Sequence, residues 1–437
     1  MRKRLFPLAV ASLMGAWLSA QQIKFEEYDL PNGLHVILHQ DPSVPVVTTS
    51  VMYHVGAKDE QEGRTGFAHF FEHLLFEGTP NIKRGDWFKV VTSNGGSNNA
   101  NTTGDRTYYY ETFPSNNEQL GLWMEAERMR HPVINQIGVD TQREVVKEEK
   151  RLRMDNQPYG NLFDSILKAL FKNHPYKGTT IGSMEDLNSA KLEEFQNFFK
   201  KYYVPNNATL VVAGNINPEQ TKKWISEYYG SIPKGAAITR NFPKETPITK
   251  QEEVTVYDNN IQIPAYIFAY RTPSNKDRDA YVLDMLGTYL SGGKSSVLYK
   301  KLVDEEKKAL QVQVANIGME DYSVFAFFAI PMGDNSVATF EKDIDAEIKK
   351  LQTTLISEKD YQKLLNQYEN QFVNANSTIE GIAHSLADSY VLKGDTNLIN
   401  KELDIYRSIT REDLRAAAQK YLNSNQRIII NYLPSKK

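Results

Sequence analysis

The stretch "LEEFQNFFKKYYVPNNATLVV", residues 192–212, has an echo about half a chain later in "REDLRAAAQKYLNSNQRIIINYL", residues 411–433. Each is a helical pattern, a polar break, and then a run of aliphatic residues that reads as a buried strand. Residue identity is slight, but the order of elements is the same. The second half also opens on strands, "EEVTVYDNNIQIPAYIFAY", just as residues 24–56 form β-rich runs split by Pro42 and Pro45. Residues 231–253, between the halves, hold Pro233, Pro243 and Pro247, many charges and few large apolar groups, as a linker would.

A chain of 437 residues has room for two or three domains. The repeat predicts an α+β architecture of two homologous α/β-roll domains, with antiparallel-dominated sheets and helices on one face. The expected boundaries are 21–230 for the first domain, 231–253 for the linker and 254–437 for the second.

Residues 1–20 stand apart. Arg2, Lys3 and Arg4 precede an apolar run from Leu5 to Trp17, and Ser19 and Ala20 are small. This layout predicts a secretory signal peptide cut after Ala20, hence export to the periplasm or beyond; an uncleaved anchor is the alternative. No later run is long and apolar enough to span a bilayer, so stable membrane insertion is not expected. A net charge of -3 argues against a nucleic-acid partner, which needs a concentrated basic surface. The chain has no cysteine, which excludes thiolate chemistry and Cys-ligated zinc. Any metal site must use histidine and carboxylate.

"GFAHFFEHLLFEGT", residues 66–79, offers both on one helix pattern. With about 100° per residue, His69, Glu72 and His73 share a sector of roughly 100°, and phenylalanines and leucines fill the rest. Two histidines at i and i+4 can chelate one zinc, and a glutamate between them can take a proton from the water that the metal activates. A pair of hydrogen-bonded core histidines beside a surface glutamate fits the same five positions. A third ligand separates the two. In "TQREVVKEEKRLRM", residues 141–154, Glu149 falls among Val145, Val146 and Leu152 on an apolar stripe. A carboxylate on a buried face needs a cation, which is a metal or an arginine. Glu148 is the fallback ligand, and Glu77, one turn beyond His73, is a candidate supporting contact.

These segments are similar to the insulinase/pitrilysin family of zinc peptidases, the H-x-x-E-H class. The likeness rests on "HFFEH", on Glu149 in "REVVKEE", on "GGSNNANTTGDRTYYYE" and on "LWMEAERM". The resemblance implies a clamshell-like fold around a chamber that admits unfolded peptides. It implies one Zn2+ on His69, His73 and Glu149, with Glu72 as general base. It also implies an edge strand at Asn99, Ala100 and Asn101 that pairs with the substrate backbone.

Two departures stand out. Gln142 occupies the place of a second family glutamate. In the second half, "LVDEEKKAL" puts Val303 and Leu310 where active single-chain members have Arg and Tyr. The resemblance then implies a homologous partner bearing that pair, giving a heterodimer. A self-sufficient homodimer and a non-catalytic assembly subunit are the alternatives.

Overall fold

The computed structural model describes residues 22–435; the leader read above lies outside them. Among the described residues, eleven strands build two sheets. Those of the first are β1 (Glu26–Asp29), β2 (His35–Gln40), β3 (Val46–Tyr53), β4 (Ser97–Thr102), β5 (Thr107–Pro114) and β6 (Ala208–Gly214), in the order β1-β2-β6-β3-β5-β4. The second holds β7 (Glu252–Asp258), β8 (Ala265–Thr272), β9 (Ala309–Ile317), β10 (Ser323–Pro331) and β11 (Arg427–Pro434), in the order β7-β11-β8-β10-β9.

The repeat is thereby explicit. Each sheet has one parallel pair, β2 with β6 and β7 with β11, followed by antiparallel neighbours. A parallel pair needs a long crossover, and the intervening helices supply it. The two echoing segments are the helices that lead into the last strands of these units, Leu192–Tyr202 into β6 and Arg411–Tyr421 into β11.

The packing adds something that the repeat alone does not contain. Each sheet keeps its own helices on one face and receives a helix from the other half on the opposite face. Helix Ile379–Lys393 sets Ile379, Ile382, Ala383 and Leu386 against Ile37, Met52, Tyr108 and Val211 of the first sheet. Reciprocally, helix Leu162–Leu170 lays Ile166, Leu167 and Leu170 on Ile267, Ala269, Ile428 and Ile430 of the second. Two-faced burial makes the central strands apolar throughout: β6 is buried at every position.

Polar contacts join the halves as well. The Lys58 ammonium lies between Asp105, in the β4–β5 turn, and Glu320 and Asp321, in the β9–β10 turn, at 2.9, 2.6 and 3.0 Å. The connecting segment is tied down too. Glu245 accepts the backbone N–H groups of Lys172, Asn173 and His174, and Arg240 pairs with Asp59 at 2.7 Å.

Candidate active site

Helix Phe67–Leu74 has eight residues, too few to be stable alone. Its surroundings fix it. Gly66 enters at φ +90°, against Gly182, where a Cβ would stand 2.6 Å from the Ile181 carbonyl. The half-buried Glu60 accepts the N–H groups of Gly66 and Ala68 on its carboxylate, both at 2.8 Å, and so satisfies donors at the helix start. Phe67 and Phe70 each lie 4.5 Å from the Phe195 ring, and Phe71 lies 4.9 Å from Tyr203. Each buried aromatic or leucine contributes about 1.5–3 kcal/mol.

At the far end, Arg128 donates to the Leu75 carbonyl at 3.1 Å. It is fully buried and pairs with Glu111 and Glu125, both at 3.0 Å. Trp87 donates its indole N–H to the same Glu111. Helix Phe67–Leu74 is thus gripped at both termini and along one side, leaving the polar sector open.

That sector faces helix Gln136–Lys150. Glu149 Oε2 lies 3.1 Å from His73 Nε2 and 3.5 Å from His69 Nε2, and all three donor atoms fall within 4.8 Å of one another. Tetrahedral zinc, with bonds of about 2.0–2.1 Å, separates neighbouring donors by about 3.3 Å, so the spacing fits. The state of the groups fits too. His69 Nδ1 is buried without a partner, so its ring gains no hydrogen bond there. Burial, aided by the nearby His73, lowers the His69 pKa to about 4, which keeps the ring neutral, as a metal ligand must be. Contact with His73 is the main cause that holds Glu149 below the usual carboxylate range. Among the described residues no other trio of histidine or acidic groups converges in this way.

Glu72 lies on the same open face. Its Oε2 accepts from the Thr102 hydroxyl at 2.7 Å, and burial pushes its carboxyl up while that hydrogen bond opposes the rise. Thr102 ends β4, the outer strand of its sheet. The β4–β5 ladder can be phased from its turn, where Thr103 N–H donates to Arg106 O at 2.9 Å. Bonded pairs alternate from there, so Asn101 and Asn99 bond inward to Tyr108 and Tyr110, and the Ala100 amide and carbonyl face the free edge. The Ala100 N–H is covered only by its neighbour's Asn99 Oδ1, at 2.9 Å.

Other expectations need adjustment. Val145 and Leu152 are not under a core: they are 44% and 56% exposed, whereas Val146 is fully buried. The stripe around Glu149 borders the open site, because the helix presents that side to helix Phe67–Leu74 rather than to a sheet. Glu148 is on the exposed side with Arg151, 3.0 Å away, and is no ligand. Glu77 and Gln142 do meet, but each other: Gln142 Nε2 donates to Glu77 Oε1 at 2.5 Å, and Glu77 also pairs with Arg84. They brace the two site helices together.

The insulinase profile (peptidase family M16) matches residues 35–183, and the profile described as the peptidase M16 inactive domain matches 189–368. The zinc protease PqqE of Helicobacter pylori is 30% identical over 431 residues, 97% of each chain. The chain belongs to the insulinase family of peptidases. The insulinase fold is equally evident in solved structures. A crystallised protease from Helicobacter pylori superposes with a TM-score of 0.89 at 29% identity, covering 94% of this chain and 99% of that one. The periplasmic protease PqqL of Escherichia coli matches with a TM-score of 0.77 at 20% identity, over 94% of this chain but 48% of its own.

Several residues of this insulinase-family site were not anticipated from sequence. Glu60, Thr102 and Arg153 carried no local signal. Glu125 and Arg128 did: they stand three apart in the largely apolar "LWMEAERM", a spacing that suits an ion pair.

Proposed function

We propose that this chain is the zinc-bearing subunit of an exported, two-chain endopeptidase that cleaves extended or unfolded peptides. The observation carrying the reading is the convergence of His69, His73 and Glu149 beside Glu72. His69, His73 and Glu149 would hold one zinc. When bound, zinc polarises the scissile carbonyl and lowers the pKa of the attacking water.

The remaining work belongs to the chain. Glu72, held by Thr102, accepts the proton of the attacking water and delivers it to the departing amine. The substrate lies along β4 as an added strand, with the Ala100 amide and carbonyl as its backbone partners and Asn99 and Asn101 flanking them. Because Thr102 both ends this strand and binds Glu72, the base stands beside the substrate backbone. Strand addition needs an extended chain, which selects against folded proteins. Glu77 and Gln142 keep the ligand helices in register.

Val303 and Leu310 offer no polar group to a developing oxyanion, and Leu310 is 47% exposed on β9. A homologous subunit with an Arg–Tyr pair would supply the donors. Two such units joined in one polypeptide are consistent with the share of PqqL that this chain covers, 48%. The leader-like sequence of residues 1–20 and the likeness to a periplasmic protease support export.

A second reading, a non-catalytic assembly subunit, draws on the same missing pair and on the inactive-domain match. The intact quartet weighs against it, since a scaffold has no use for Glu72. The test is Glu72→Gln in the purified assembly. Zinc should stay bound while peptide cleavage falls by about 10²–10⁴; undiminished cleavage refutes the role. A wild-type assembly that binds no zinc and cleaves nothing in a mixed peptide library would favour the scaffold.

A further inference from the structure

Glu149 uses its two oxygens differently. Oε2 points at the imidazoles, 3.1 Å from His73 Nε2, while Oε1 is held by the Arg153 guanidinium at 2.8 Å. Arg153 lies just past the end of helix Gln136–Lys150, in a widened turn, Arg151–Asp155, closed by Asn156 N–H on the Arg151 carbonyl. Such turns are rare and recur at functional sites. Three contacts hold this one: Lys150 Nζ to Asp155 at 2.9 Å, Gln157 Nε2 to the Leu152 carbonyl at 2.8 Å, and Asn260 Nδ2 to the Asp155 carbonyl at 2.6 Å. The turn therefore sets where Arg153 stands.

Apart from His69 and His73, Glu149 has no other orienting partner among the described residues. Gln142, two turns earlier on the same helix, is engaged with Glu77 instead. We infer that Arg153 is a positioning residue for the metal site, fixing the Glu149 carboxylate so that one oxygen alone is offered between His69 and His73. This rests on the zinc reading above. A ligating carboxylate whose second oxygen is held in an ion pair has less rotational freedom to lose, so the metal does not have to supply that ordering. The opposing effect is charge: a guanidinium near a cation repels it. Arg153 is 77% exposed and its charge is screened by solvent, whereas its 2.8 Å contact acts directly on Oε1. Orientation therefore outweighs repulsion, which sets the sign of the effect.

The test is the zinc dissociation constant of the purified chain, measured by competition with a chromogenic chelator, for wild type, Arg153→Ala and Arg153→Lys. Wild type should bind one zinc. Arg153→Ala should bind it about tenfold more weakly, the lower end of what loss of a supporting partner costs. Arg153→Lys, which still reaches Oε1, should recover most of that loss. The melting temperature of the metal-free chain should be the same for all three, since an exposed ion pair contributes little to folding. Equal or tighter zinc binding by Arg153→Ala overturns the inference while leaving the zinc site standing. Absence of zinc binding by wild type would instead overturn the reading on which it rests.

Discussion

The Thr102 hydroxyl donates to Glu72 Oε2 across 2.7 Å, so the last residue of the edge strand holds the candidate base. Burial raises the Glu72 pKa and this hydrogen bond is the largest influence opposing it. A donor to a carboxylate favours its ionised form. Thr102→Val keeps the shape and removes the donor, so the Glu72 pKa should rise further. A base works only when deprotonated, and activity should therefore be lost at higher pH than in wild type as the solution is acidified. A hydrogen bond to a charged group contributes about 1.5–3 kcal/mol, so the acidic limb of the kcat/KM profile should move up by about one pH unit or more. An unmoved limb with normal zinc content would mean that Thr102 does not tune the base.

The phase of the β4–β5 ladder yields a sharper test of substrate placement. Ala100 turns its N–H to the free edge, and no ladder bond depends on it. Proline is tolerated at such edge positions. Ala100→Pro should fold with a stability within about 1 kcal/mol of wild type. It should nevertheless lose about tenfold or more in kcat/KM on peptides, because it removes one backbone donor and sets a ring where the substrate strand would lie. Unchanged kinetics in a folded Ala100→Pro protein would move the substrate off this edge.

Beneath the site, Arg128 holds both Glu111 and Glu125 in a sealed interior, where burial and the neighbouring Glu125 push the Glu111 carboxyl well up. Its guanidinium also lies 4.1 to 4.5 Å from the ring centres of Trp87, Phe76 and Tyr109. Arg128→Met fills much of the volume but leaves two buried carboxylates unpaired and frees the Leu75 carbonyl. Removing one partner of a buried pair costs about 3–5 kcal/mol, and denaturant unfolding should read a loss of that size. Unfolding at the wild-type midpoint would show that Arg128 is not structural.

Much of this was readable in the sequence, for physical reasons that differ from element to element. The helix from Phe67 is legible because its apolar residues surround a single polar sector. The β4–β5 hairpin is legible because glycine and asparagine precede a run of tyrosines. Helical periodicity says which residues share a face but not what covers that face, so Val145 and Leu152 read as buried when they border the open site. The same limit hid the exchange of helices Leu162–Leu170 and Ile379–Lys393, since an apolar face does not name the sheet it will meet. Glu60 and Arg153 depend on chain segments brought together only by folding.

The second half explains why a partner is expected. Helix Arg278–Ser291 follows β8 as helix Phe67–Leu74 follows β3, yet it has no histidine. Its buried Asp284, raised by burial to about 6, is instead hydrogen-bonded to Asn316 and Tyr406. Among the described residues, that half has no equivalent of the ligand trio, and Val303 and Leu310 bring it no oxyanion donor. Removing one oxyanion donor from a peptidase typically costs about 10²–10³ in kcat. The isolated chain should accordingly bind zinc yet hydrolyse peptides slowly, and a homologous subunit bearing the Arg–Tyr pair should raise kcat by about 10² or more. Restoring the pair in cis, as Val303→Arg with Leu310→Tyr, should recover part of that gain if a second copy of this chain can take the partner's place. Full turnover by the wild-type chain alone would rule out the need for a partner, and steady-state kinetics on an unstructured peptide, with and without the added subunit, decides it.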